Sequence, residues 1–279
     1  MMKNRSVLIT GSSSGIGRAC ALHLSRRGFR VFAGVRSMRD VDSLQGETTE
    51  NITPVVLDVT ETGSIASAVE QVFKAAGGAL FGLINNAGVG LGGPLELIPP
   101  DKISHLLRVN ILGAAAVTRA FLPFLRNNRG GRIIMISSIS GRIALPGLSV
   151  YAASKFALEA LGDALRVELK PFNISVVLIE PGNVTTPIWE KGIAHHAAMM
   201  EQADAAVKKL YEPLILALSR IAQNPRGIEP ERVARMVEHA LIVARPRSRY
   251  LIGTRVWQMR LLSHLPDRIR DWILLRHFK

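Results

Sequence analysis

The chain has 279 residues, a net charge of +13 and a composition that is 48% apolar and 20% charged, so it can bury a sizeable core and is not a disordered chain. Its single cysteine, Cys20, excludes an internal disulfide and any metal site built from several thiolates, and reads as a small buried helix residue. No apolar run nears the ~18 residues of a membrane span, and Val7–Thr10 is too short for the apolar core of a secretion signal, so a reducing cytoplasm is the expected compartment.

In chain order, short Val/Ile/Leu-rich runs alternate with helix-length stretches. Strands are expected at Ser6–Thr10, Arg30–Val35, Pro54–Asp58, Leu80–Asn85, Arg132–Ser137, Ser175–Glu180 and Arg249–Gly253. Several are continuously apolar, as strands covered on both faces must be. Helices are expected at Ile16–Arg27, Gly63–Ala76, Asp101–Asn127, Tyr151–Lys170 and Pro230–Ala244. Asp101 is placed to cap the third of these, and Pro230 suits a first helical turn. The alternation implies right-handed βαβ crossovers and one doubly wound α/β domain with a parallel sheet of about seven strands, a Rossmann fold. This domain is expected over residues 1–255. Asn183–Asn224 interrupts the rhythm as an insertion with helix in Ala197–Arg220, and 256–279 follows as an amphipathic tail.

The positive charge is uneven: Arg226–Lys279 holds twelve basic and five acidic residues. No nucleic-acid recognition motif is visible and aromatics are only 5%, so a nucleic-acid surface is excluded as the reading.

The first strand runs into Thr10-Gly11-Ser12-Ser13-Ser14-Gly15-Ile16-Gly17. After a strand and before a helix, these glycines have distinct tasks. Gly11 allows the tight exit, Gly15 a close backbone approach to a pyrophosphate, and Gly17 close helix–strand packing. Ser13, Ser14 and Ile16 complete the turn, and the free N–H groups of the helix start favour an anion. At the end of the second strand, where an acidic residue would hold a ribose 2′-hydroxyl, the chain has Val35 and Arg36. A guanidinium binds a 2′-phosphate, so NADP(H) is expected over NAD(H), which stays open. Asp58 ends the third strand beside Val59. It can accept from an adenine amino group or cap a turn.

Tyr151 and Lys155 fall at i and i+4 near a helix start, on one face. A free phenol has pKa ~10, and a neighbouring ammonium lowers it, which suits proton exchange with a carbinol or carbonyl oxygen. Ser138 ends the fifth strand, Asn85-Asn86-Ala87-Gly88 ends the fourth, and Asn110 lies in the long helix. All but Asn110 lie at carboxyl ends of strands or the adjoining helix start, where open α/β sheets bind ligands.

This ordered set, with Pro181-Gly182, resembles the short-chain dehydrogenase/reductase family from about Ser6 to Gly253. Val31–Gly34, Pro187-Ile188-Trp189 and the long C-terminal part make it most similar to the retinol and steroid dehydrogenase branch. The resemblance implies Tyr151 as general acid/base and Ser138 as the group that positions the substrate oxygen. It implies that Lys155 binds the nicotinamide ribose and lowers the Tyr151 pKa. Asn110 would hold, through its backbone, a water that extends a proton relay to Lys155. Asn86, Ala87 and Gly88 would line the adenosine ribose, and Pro181, Gly182, Val184 and Thr186 the nicotinamide carboxamide, with Thr185 an adjacent alternative. The protein would then be an oxidoreductase moving hydride between NADP(H) and a hydrophobic secondary alcohol or ketone of steroid, retinoid or lipid type. Two alternatives stay open: a 3-oxoacyl-thioester reductase, and a catalytically silent regulatory protein that only binds NAD(P).

The substrate pocket is expected to be apolar, with Ser138, Ile139, Leu145, Tyr151, Ile188 and Trp189 on it, and residues 183–224 as its lid. Met199 and Met200 suit an adaptable surface. His195-His196 lacks a third ligand at suitable spacing, so no metal is expected. The tail mixes Trp257, Leu261, Leu265, Ile269, Trp272, Ile273 and Phe278 with arginines, and Pro266 should divide it into two short helices. It fits packing on the body or a subunit partner, or peripheral contact with an anionic membrane. The family resemblance also implies a homodimer or homotetramer.

Overall fold

The computed structural model describes residues 5–45, 51–128, 130–188, 204–222 and 227–277. Seven strands, β1 (Ser6–Ile9), β2 (Arg30–Val35), β3 (Ile52–Val56), β4 (Gly82–Asn85), β5 (Gly131–Ile136), β6 (Ile174–Pro181) and β7 (Arg249–Ile252), form one parallel sheet in the order β3-β2-β1-β4-β5-β6-β7. The expected α/β Rossmann architecture is therefore present. Chain direction across the sheet reverses between β1 and β4, so the connections leaving these strands diverge and open a crevice at their carboxyl ends.

The strands are apolar at successive positions because both faces are covered. In β1, Val7 and Ile9 face one core and Leu8 the other; in β2, Val31, Ala33 and Val35 oppose Phe32. The first core is closed by α1 (Gly15–Arg26) and the helix Pro230–Ile242, through Cys20, Leu24, Val233 and Val237. The second is closed by α3 (Thr62–Ala76), α5 (Ala114–Asn127) and α6 (Ser149–Glu168), through Val72, Phe121 and Leu158. Cys20 is fully buried, which pushes its thiol up to about 12.

Three local expectations are corrected. A short helix, α2 (Met38–Gln45), follows β2 where none was expected. The stretch Asp101–Asn127 is not one regular helix: α4 (Pro100–Leu107) passes through a π-wound turn, Arg108–Gly113, into α5. Gly113 permits this path, because a Cβ there would stand 2.6 Å from Val59 Cγ2. Asp101 does not cap α4. Pro99 occupies the cap and Pro100, with its fixed φ, the first helical position, which leaves Asp101 inside the first turn beside Lys102 at 3.5 Å.

Within the insertion, α7 (Ala205–Ala222) is described; Trp189, His195, His196, Met199 and Met200 lie outside the described residues. Tyr211 on α7 donates to Glu96 Oε2 at 2.8 Å, and Leu218 lies so close to Gly147 that a Cβ on the glycine would meet it at 2.4 Å. Pro230 opens α8 (Pro230–Ile242) as expected. Beyond β7, the tail forms α9 (Val256–Leu262) and α10 (Asp267–His277), divided at Pro266, while Phe278 lies outside the described residues. The span Pro100–Asn127 is long and apolar enough by composition to cross a membrane, yet Val117, Phe121 and Leu125 on it pack against the sheet.

Candidate active site

A cleft of about 540 Å³ lies at the switch point between β1 and β4. At one end is the glycine turn. Gly11 and Gly15 have φ of +68° and +54°, conformations that side chains rarely adopt. A Cβ on Gly11 would meet Ala87 Cα at 2.9 Å; one on Gly15 would meet Thr186 Cγ2 at 3.1 Å. Gly17 does not line the cleft; it closes the turn from beneath, where a Cβ would stand 2.1 Å from the Gly11 carbonyl oxygen. Thr10 and Asn86 join the turn to β4. Thr10 Oγ1 accepts from the amides of Asn86 and Ala87 at 3.0 and 2.9 Å, and Asn86 Nδ2 donates to the carbonyls of Thr10 and Gly11. The Asn86 side chain is thus a brace for the turn, while its residue still borders the cleft with Ala87 and Gly88.

Ser13, Ser14, Gly15, Ile16, Arg36, Asp58 and Val59 also border this end. Asp58 Oδ1 accepts from Thr60 N and Oγ1 at 2.8 and 2.7 Å, which is the turn-capping role. Burial would raise its pKa, but those two bonds and the nearby charges of Arg36 and His105 prevail and hold it below the usual carboxylate range. Sequence reasoning missed the opposite wall: Lys102, His105, Leu106 and Val109 of α4 and its continuation all line the cleft. Their i, i+3, i+4, i+7 spacing is a legible helical stripe, but it mixes charged and apolar residues and so does not stand out as a core face.

At the other end, Ser138, Tyr151 and Lys155 come together on the cleft wall. Tyr151 and Lys155 are buried on α6, and Ser138 is buried at the exit of β5. The Ser138 hydroxyl hydrogen-bonds the Tyr151 side chain and accepts from Ser140 N at 3.1 Å, capping the 3-10 turn Ile139–Gly141. Ser138 therefore also caps the turn that follows β5. Lys155 Nζ donates to the Ile136 carbonyl at 3.0 Å and stands 5.8 Å from the Tyr151 ring centroid.

The expected depression of the Tyr151 pKa is not present in the protein alone. Burial pushes the phenol up to about 12, and the Ser138 hydrogen bond opposes this only in part. Burial also pushes the Lys155 ammonium down to about 8, against the pull of Glu159. Both groups are short of water, so the charged form of each is costly until a partner arrives.

Asn110 sits in the π-wound turn and does not line the cleft. Its amide is held on both sides: Oδ1 accepts from Val89 N at 2.9 Å, and Nδ2 donates to Val89 O at 3.1 Å and Ser154 Oγ at 3.0 Å. Pro181, Gly182, Val184, Thr186 and Ile188 border the cleft near β6. Thr185 instead donates its amide to Ile228 O. Ile139 and Leu145 lie in the segment between β5 and α6, outside the cleft lining; Val89, Leu91 and Pro187 supply apolar wall in addition to Ile188. The glycine cradle, the long cleft and the cationic Arg36 fit a dinucleotide laid across the switch point.

The chain is similar over most of its length to known proteins of one family. The family model described as short chain dehydrogenase matches residues 5–197. An uncharacterized oxidoreductase, YbbO, of Escherichia coli K12 is 38% identical over 97% of this chain and 94% of its own length. Mouse retinol dehydrogenase 16 is 35% identical over 98% of this chain and 88% of its own, and bovine 17-beta-hydroxysteroid dehydrogenase type 6 is 36% identical over 99% and 89%. Among solved structures, a short-chain dehydrogenase from Streptomyces avermitilis aligns with a TM-score of 0.78 at 26% identity, covering 98% of this chain and 95% of that one. A serine dehydrogenase solved with NADP+ aligns at 0.73 and 25% identity, covering 88% and 94%. The chain belongs to the short-chain dehydrogenase family, on its retinol and steroid dehydrogenase branch, and is a nicotinamide-dependent oxidoreductase of alcohols and ketones.

Proposed function

We propose that the protein moves hydride between NADP(H) and a hydrophobic secondary alcohol or ketone of steroid, retinoid or lipid type, with Tyr151 as general acid/base. The observation that carries this is the convergence of Ser138, Tyr151 and Lys155 at one end of a cleft whose other end is a glycine cradle flanked by Arg36. When bound, the cofactor supplies or takes the hydride.

The side chains divide the remaining work. The backbone of Gly11–Gly15 receives the pyrophosphate, Arg36 the 2′-phosphate, and Asp58 and Val59 the adenine. Asn86, Ala87 and Gly88 border the adenosine ribose. Pro181, Gly182, Val184 and Thr186 hold the carboxamide. Ser138 donates to the substrate oxygen, and the Tyr151 hydroxyl exchanges a proton with it. Lys155 binds the nicotinamide ribose, and its ammonium makes the phenol acidic once the cleft is filled. Asn110, fixed through Val89, presents its backbone to a relay water. Fixed geometry is the main contribution, because a reacting pair held in place needs no bimolecular encounter.

The apolar wall of Val89, Leu91, Pro187 and Ile188 supports a hydrophobic substrate. So do the names of the relatives. Residues 183–224 serve as a lid over the 1–255 domain, a reading supported by α7 reaching Glu96 and Gly147. Exposed Leu112, Phe156 and Val167, on or beside α5 and α6, support assembly into a homodimer or homotetramer. In the 256–279 tail, Trp257, Leu261, Ile269, Trp272 and Leu275 are exposed, with Arg260 over Trp257 and Arg276 over Trp272 at 3.9 Å. Aromatic rings with arginines beside them suit peripheral contact with an anionic membrane.

Nicotinamide absorbance tests the substrate class. Turnover is expected with steroid- and retinoid-like ketones and alcohols. Turnover restricted to 3-oxoacyl thioesters, or NADP(H) binding with no turnover on either panel, would overturn it.

A further inference from the structure

One helical turn beyond Lys155, the carboxyl group of Glu159 enters a buried cluster that the proposed reaction does not use. Glu180 of β6 meets it there, and the two side chains are 5% and 0% exposed. Arg142, from the turn after β5, brings Nη2 to 3.2 Å from Glu159 Oε2 and 2.9 Å from Glu180 Oε1. Arg249 of β7 brings Nε to 3.1 and 3.2 Å from the same two oxygens, and pairs with Asp163 on α6. Each glutamate therefore gives one oxygen to the two guanidiniums. The other oxygen of each, Glu159 Oε1 and Glu180 Oε2, is buried with no hydrogen-bond partner among the described residues.

The Ser137 hydroxyl beside Glu159 can donate to only one of these acceptors, and the other is left unsatisfied unless a carboxyl carries a proton. Like charges this close also resist joint ionisation. A single proton held between the carboxyls meets both requirements. The groups around Glu159 come from five elements: Lys155 and Asp163 from its own helix, Ser137 from the exit of β5, Arg142 from the following turn, Glu180 from β6 and Arg249 from β7. Gly141 closes the cluster, since a Cβ there would lie 2.9 Å from Glu159 Cγ. Fully ionised, the three carboxylates balance the two arginines and Lys155. A proton in the pair leaves Lys155 without its counter-charge.

We propose that Glu159 and Glu180 share one proton, and that this buried pair sets the charge on Lys155, which makes Glu159 a positioning residue for the reaction. The proposal rests on the reading of Tyr151 and Lys155 given above. Burial pushes Glu159 up to about 7. As the pH rises through that region Glu159 gains its charge, and the new anion helps to hold the proton on Lys155, which burial brings down to about 8 even with the pull of Glu159. Ammonium is then retained at a pH where an isolated buried lysine would lose it. No covalent bond between heavy atoms changes; the carboxyl pair releases its proton to solvent while Lys155 keeps its own.

Two measurements test this. In ketone reduction, kcat/KM should fall on the alkaline side as Lys155 loses its proton. In Glu159→Gln that fall should move to lower pH by about one unit, a tenfold change in proton affinity, and Glu159→Asp should restore its position. A lower rate with an unmoved profile means that Glu159 only packs, and overturns the proposal. The second measurement starts from the unaltered protein. The infrared spectrum of the unaltered protein should show a protonated carboxylic acid below neutrality that disappears above it, and Glu180→Gln should remove that band. No such band in the unaltered protein overturns the shared proton. Turnover in Tyr151→Phe would end the catalytic reading separately, because the infrared band does not depend on it.

Discussion

The ammonium of Lys155 stands 5.8 Å from the Tyr151 ring centroid and donates to the Ile136 carbonyl rather than waiting free beside the phenol. With Tyr151 pushed up to about 12 by burial, the protein alone holds a neutral phenol. On the proposed reading, its acidity would arise only once the cleft is loaded. A cofactor ribose hydroxyl placed between the two would complete the link, and proton exchange would be confined to the complex.

Gly17→Ala should damage the fold at the turn, not the chemistry. The added Cβ would lie 2.1 Å from the Gly11 carbonyl oxygen and 2.4 Å from Asn86 Nδ2, neither of which can retreat without opening the brace between β1 and β4. Overpacking of this kind costs about 1–3 kcal/mol. In a domain of this size that lowers Tm by roughly 2–4 °C per kcal/mol, and NADP(H) affinity should fall with it. Calorimetry with cofactor titration checks both.

Arg36→Asp should change the preferred coenzyme. The carboxylate would repel a 2′-phosphate and accept from a 2′-hydroxyl. Loss of one charge-assisted hydrogen bond is worth about 1.5–3 kcal/mol, so the NADP(H)/NAD(H) ratio of kcat/KM should fall at least tenfold. An unchanged ratio would move 2′-phosphate recognition to Lys102 on the facing wall.

Acid should loosen the seam between α1 and α8. Glu238 accepts from Arg27 Nε and pairs with His23, each at 2.6 Å. Burial works against its charge, but these two partners prevail and hold its pKa below the ordinary value. A depressed carboxylate stabilises the fold above its unfolded pKa, and that contribution is lost as the pH falls through the folded one. Thermal melts should show Glu238→Gln less stable than the unaltered protein at neutral pH, with the gap closing on acidification below the ordinary carboxylate range. A gap independent of pH would contradict the assignment.

The sheet was legible in the sequence because continuously apolar runs such as Val7–Ile9 and Ile133–Ile136 have no other stable home than between two covering layers. The glycine turn, Ser138, Tyr151 and Lys155 were legible because each sits where a strand meets a helix. What the sequence hid has physical causes. The π-wound turn at Arg108–Gly113 leaves no compositional mark. The Asp101 cap was displaced by two prolines with a stronger local preference. The depressed phenol was expected from the i, i+4 spacing to Lys155, but burial, a tertiary quantity, raises it and only the Ser138 hydrogen bond opposes the rise. Glu159 and Glu180 are far apart in the chain, and only the sheet brings them together.

The central claim is proton exchange at the Tyr151 hydroxyl. Its most direct test measures NADP(H) affinity and single-turnover hydride transfer side by side in Tyr151→Phe. General acid–base catalysis contributes about 10²–10⁴-fold. The account predicts a loss of at least that size in the transfer rate, with cofactor affinity within a few-fold of the unaltered protein. Hydride transfer at an undiminished rate in the phenylalanine variant would contradict it.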